Sequence, residues 1–113
     1  MEQYFEKLKE YLNMDTEIPF EEFEAYYKDV IGYLQKNYQP MDHASLIKAR
    51  YITSIVAANA SDRASRKLPQ FKKYRKMAEK CDFWAESIKY RLLKEGLTEE
   101  QIDEAEQKLS ETI

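Results

Sequence analysis

Residues that turn, cross-link or ligate are scarce in this chain: two glycines, three prolines, one cysteine and one histidine in 113 positions. So few Gly and Pro cannot supply the reversals of a sandwich or barrel. The long charged stretches carrying Leu, Ile and Tyr also lack β-branched alternation, so the expected class is all-α. A single cysteine, Cys81, excludes an internal disulfide. Together with the lack of an apolar leader at the N-terminus, it points to a reducing, cytoplasmic setting. No apolar run approaches the roughly twenty residues of a membrane span, and no membrane partner is expected.

Chemistry-bearing patterns are absent too. His43 has no second His or Cys at ligand spacing and reads as a surface residue in a helical first turn. The carboxylates Glu21, Glu22 and Glu24 have no Glu-x-x-His companion and fit a helix N-terminus, where the dipole favours negative charge. Cys81 reads as a small buried hydrophobe rather than a nucleophile. No catalytic, cofactor-binding or metal-binding residue is assigned, and the chain is read as non-enzymatic, with no cofactor.

What is present is helical periodicity. A length of 113 residues fits one domain, residues 1–113. Tyr4, Phe5, Leu8, Tyr11 and Leu12 predict a first helix from about Glu2 to Met14. Pro19 at a first helical position and a stripe from Phe20 to Tyr38 predict a second. Gly32 inside it costs about 1 kcal/mol relative to Ala, which suggests close approach of another helix there. Asp42 is the expected N-cap of a third helix, Gly96 the stop of a fourth, and Thr98-Glu99-Glu100-Gln101 the capping box of a fifth.

The third and fourth helices, expected at about 42–67 and 69–95, are apolar nearly all round over part of their length. Both are therefore central. Pro69 interrupts them, and folding the chain about the Leu68–Pro69 bond lays their apolar halves side by side. The expected architecture is a small bundle of four to five helices around this long antiparallel hairpin.

Charge is distributed just as unevenly. Ser61 to Lys76 holds seven bases, Arg63, Arg66, Lys67, Lys72, Lys73, Arg75 and Lys76, against the single acid Asp62, a local charge of +6 in a chain of formal charge −3. Asp62 and Arg66 have the spacing of an i,i+4 ion pair. The basic run falls at the hairpin end, with Phe71 and Tyr74 in the seam beneath it. Either the protein's own acidic ends neutralise this tip or a partner does. The seven bases are the candidate contact for an acidic protein surface, with nucleic-acid phosphate as the alternative. Against phosphate stand an isoelectric point near 5.3 and two acidic blocks. Neither a helix-turn-helix nor zinc-finger spacing is present. Phe83 and Tyr90 lie off the main seam of the fourth helix. They either pack beneath another helix of the chain or mediate self-association, for which a homodimer is the expected form.

Overall fold

In the computed structural model, which describes residues 1–113, the chain forms five α-helices and no strand. They are α1 (Glu2–Leu12), α2 (Phe20–Asn37), α3 (His43–Ala64), α4 (Phe71–Lys94) and α5 (Glu99–Glu111). The bounds follow from local chemistry. Pro19 takes the N-cap of α2 in an extended conformation, so the helix begins one residue later than a first-turn proline implies. Asp42 caps α3, its Oδ1 accepting from the Ser45 N–H at 2.8 Å. At the head of α5 the Thr98 hydroxyl accepts from the Gln101 N–H at 3.1 Å, and the Gln101 side chain accepts from the Thr98 N–H at 2.8 Å. Gly96, at φ 106°, ends α4: its N–H bonds Leu93 O while the Leu97 N–H reaches back to Leu92 O. This pairing satisfies carbonyls the helix would otherwise leave free.

The hairpin turn is longer than a simple break at Pro69 implies. α3 stops at Ala64 and α4 starts at Phe71. Leu68 precedes a proline and is disfavoured from helical geometry, so the chain unwinds over several residues and leaves through Lys67 at φ 58°. That left-handed conformation costs a side-chain-bearing residue on the order of 1–2 kcal/mol.

Successive helices alternate in direction. Tyr11 meets Tyr26 and Tyr4 meets Tyr33 edge-to-face, which sets α1 and α2 antiparallel. The Tyr26 hydroxyl also donates to Tyr4 O at 2.8 Å. Phe5 packs on Tyr51, so α1 runs along α3. Phe20 and Phe23 pack on Tyr74 while Tyr38 packs on Trp84, so α2 runs along α4. His43 meets Glu95 at the base of the hairpin and Arg63 meets Tyr74 near its tip, pairs placed almost symmetrically about residues 68 and 69. α5 folds back beside α3, held by the ion pairs Arg50–Glu106 and Lys89–Glu99.

α3 and α4 make the most extensive helix pair, and α3 also touches α1 and α5. Leu46, Ala49, Ile52, Thr53 and Ala60 of α3 are fully buried, as are Ile88 and Leu92 of α4. Thr53 satisfies its hydroxyl on Ala49 O at 2.9 Å. The result is an all-helical bundle built on a helical hairpin. One packing expectation is corrected. A Cβ added at Gly32 would meet nothing within 4 Å, so no second helix crowds that position.

Candidate functional site

The hairpin tip is built by the last turn of α3, where only Ala64 is apolar after Ala60, a loop carrying Lys67, and an α4 whose first turns hold Lys72, Lys73, Arg75 and Lys76. α4 starts with no side-chain cap and no acid in its first turn, so nothing local neutralises those bases. The seven predicted tip cations do not share one environment.

Arg63 is corrected most. It is only 7% exposed, with its guanidinium over the Phe23 ring at 4.5 Å and near the Tyr74 ring at 5.5 Å. Its Nη1 donates to Ile18 O at 2.9 Å and to the Tyr74 hydroxyl at 3.0 Å. The side chain turns inward because α3 presents position 63 to the α1–α2 connection, where aromatic faces and a free carbonyl receive a cation. It ties residues 13–19 to the hairpin and is withdrawn from the outer surface.

Arg66 is exposed but neutralised. It pairs with Asp62 one turn earlier, as the spacing predicts, and with Glu17 of the α1–α2 connection at 2.6 Å. Both carboxylates raise the Arg66 pKa, and Arg66 in turn holds the Glu17 carboxyl below the usual range. The acidic connection therefore lies against one side of the tip.

The remaining five behave alike. Lys67, Lys72, Lys73, Arg75 and Lys76 are exposed, as is Lys80 one turn further on, and none has a carboxylate within 4.0 Å. Elsewhere most bases find partners, among them Lys7 with Glu10, Lys9 with Glu6, Lys48 with Glu2 and Arg91 with Glu95, while Lys36, Lys94 and Lys108 stand singly rather than in a cluster. Three of the tip charges, Lys72, Lys73 and Arg75, have aromatic rings as neighbours. Lys73 lies 5.3 Å from the Phe20 centroid, and the half-buried Phe71 has Arg75 at 5.5 Å and Lys72 at 6.0 Å.

Down the same helix, Phe83 and Tyr90 are 63% and 67% exposed and are not covered by α1 or α2. Phe83 touches Trp84 edge-to-face but is otherwise presented to solvent. Other candidate groups are quiet. His43 is exposed, with Nε2 2.9 Å from a Glu95 oxygen. Cys81 is buried, and burial pushes its thiol up to about 12, which keeps it protonated at neutral pH. No group of three or more His, Cys, Asp or Glu side chains is placed to hold a metal, and no helix is long and apolar enough to cross a membrane.

What the sequence does not reveal is that positions 63 and 66 leave the open set, because their partners, Ile18 and Glu17, come from a segment distant in the chain. The one local sign is the Asp62–Arg66 spacing. Comparison with known protein families, with curated proteins and with solved structures finds no match.

Proposed function

We propose that the chain is a non-catalytic helical binding module that contacts an acidic protein surface through Lys67, Lys72, Lys73, Arg75 and Lys76. A single observation carries this reading: every base from Lys67 to Lys80 stands exposed without a carboxylate in reach, in a chain that has more acids than bases. Like charges clustered in this way repel one another and destabilise the folded state, a cost that a polyanionic partner relieves. The left-handed Lys67 supports the same reading, since Gly or Asn would suit that conformation better and neither would add charge.

An acidic protein patch fits better than a nucleic-acid backbone because the tip's cationic area is bounded. Glu17 sits beside it on Arg66, and Glu79 and Asp82 share a shallow depression with Arg75. A long phosphate chain leaving the tip would meet these carboxylates, whereas a protein surface need only match the tip itself. The nucleic-acid alternative is favoured by Phe71, an aromatic set between Lys72 and Arg75, the arrangement on which an unpaired base stacks.

Fluorescence anisotropy separates them. A labelled poly-glutamate peptide should bind with an affinity that falls as salt rises, and Lys72→Glu with Lys73→Glu should weaken it by about tenfold or more. Tighter binding of a single-stranded oligonucleotide, lost in the same variant, would transfer the site to nucleic acid. If neither probe binds at low salt, the tip has no such role.

The same reading includes self-association through Phe83 and Tyr90, two large exposed aromatics seven positions apart on α4, hence on one face. Light scattering should give a dimer mass that Phe83→Ser with Tyr90→Ser reduces to the monomer. A monomer mass for the unaltered chain at high concentration would remove the dimer from the proposal.

A further inference from the structure

Where α1 gives way to α2, a cavity of about 250 Å³ lies between the 13–19 connection, the first turns of α2 and the upper half of α3. Its wall is largely apolar, with Leu8, Ile18, Phe23 and Val56 among its members. Leu12 and Met14, 39% and 47% exposed, also line it, apolar surface that an occupant would cover.

One cationic side chain enters this wall. Arg63 lines the cavity and is more than nine-tenths buried, yet only Nη1 is engaged, by Ile18 O and the Tyr74 hydroxyl. Its Nε and Nη2 donate to no protein acceptor, and no carboxylate lies within 4.0 Å of it. The nearby carboxylate whose pKa its charge helps to lower, Glu17, is held by Arg66. These two nitrogens are not sealed in, since the fully buried side-chain nitrogens without a partner are Arg50 Nε and Trp84 Nε1, so the free edge of Arg63 stays open to an occupant of the cavity. The edge left free is the one through which a guanidinium holds a carboxylate by two parallel N–H···O bonds. Asn59, one turn before Arg63 on α3, lines the same cavity and brings an amide to it.

We propose that this cavity binds a small apolar monocarboxylate, its carboxylate on the free Nε–Nη2 edge of Arg63 and its body against Leu8, Phe23 and Val56. The space exceeds the roughly 150 Å³ in which an apolar cavity accepts benzene and falls short of the roughly 300–1,000 Å³ of larger ligand sites. A medium-chain or aryl acid has that size. The ligand carries one negative charge because Asp15 and Glu17 stand at the same cavity and oppose a second. This disfavours phosphates and dicarboxylates, and it sets the site apart from the polyanion contact at the tip.

Isothermal titration and amide chemical-shift perturbation with octanoate and phenylacetate test the assignment on the intact chain. Octanoate should bind one to one, and octanol, which keeps the apolar body without the charge, should bind about tenfold more weakly or worse. Val56→Phe, which fills the cavity from α3, should abolish octanoate binding. Asn59→Trp, made at an exposed lining position, should do the same should Val56→Phe fail to fold. Lys72→Glu with Lys73→Glu should leave octanoate binding unchanged, so loss of the tip's function and loss of this site are read separately. Absence of saturable octanoate binding at millimolar concentration overturns the proposal, as does equal affinity for octanol, survival of binding in the filled variant, or its loss in the tip variant.

Discussion

Arg63 and Arg75 belong to one cationic cluster in the sequence and to different environments in the fold. Arg63 is enclosed by Phe23, Tyr74 and the Ile18 carbonyl, whereas Arg75 is exposed with only the Phe71 ring beside it. The difference lies in which face of each helix is turned to the α1–α2 connection, and composition carries no record of that. Cys81 shows the converse. Four bases lie near it in sequence, at positions 73, 75, 76 and 80, yet its thiol is driven upward by burial because its α4 position points into the core. Gly32 yields a prediction at this scale. With open space where a Cβ would go and an ordinary helical backbone, Gly32→Ala should stabilise the chain by about 0.5–1 kcal/mol in urea unfolding, from helix propensity and a less flexible unfolded state. A loss of stability would contradict the open space beside Gly32.

Two helices, α3 and α5, start on side-chain caps that the sequence states openly, and the energetics of such a cap can be tested through pH. The Ser45 N–H bonded to Asp42 holds that carboxyl below its usual range. A group whose folded pKa is depressed contributes stability above its unfolded value and loses it as pH falls through the folded value. Asp42→Ala should therefore lower stability near neutral pH, and the gap between variant and parent should narrow as pH falls through the lowered carboxyl value, leaving only what the neutral carboxyl still contributes as an acceptor. Urea unfolding of both proteins at neutral and acidic pH checks this; a gap independent of pH would remove the charged cap from the account. Glu17 and Glu95 are lowered in the same sense, by Arg66 and by Arg91. Glu106 has the opposite sign. Burial raises its pKa and the ion pair with Arg50 offsets that only in part, so its favourable contribution is present below the ordinary carboxylate value and fades as pH rises through the raised one.

For the whole molecule, an elongated body of 43 × 25 × 23 Å separates two kinds of surface. The hairpin sets the long dimension, since the 24 residues of α4 span about 36 Å at 1.5 Å each. Buried side chains run along its inner face as far as Tyr74, and exposed charge gathers on the outer face of its end. Ile88→Ala, at a fully buried site, should therefore cost about 2–5 kcal/mol, while Lys76→Ala at the tip should change stability by less than about 0.5 kcal/mol. Equal losses in denaturant titrations would contradict this division. The proposed contacts follow the same geography: a polyanion at the end, a second copy along the outer face of α4, a small acid between α1, α2 and α3.

Much of this was legible in the residues alone. Five helices, the caps at Asp42 and Thr98, the stop at Gly96 and the hairpin about residues 68 and 69 all rest on interactions within a few positions of one another, or on periodicity that records which side of a helix avoids water. The basic run was legible for the same reason, because charge can be counted. Its accessible part was not. Arg63 and Arg66 are taken up by Ile18 and Glu17, which lie more than forty positions earlier, and the cavity beside Arg63 exists only where α1, α2 and α3 meet. Local chemistry writes the helices; which cations remain open, and where space is left, is decided when distant segments compete for the same surface.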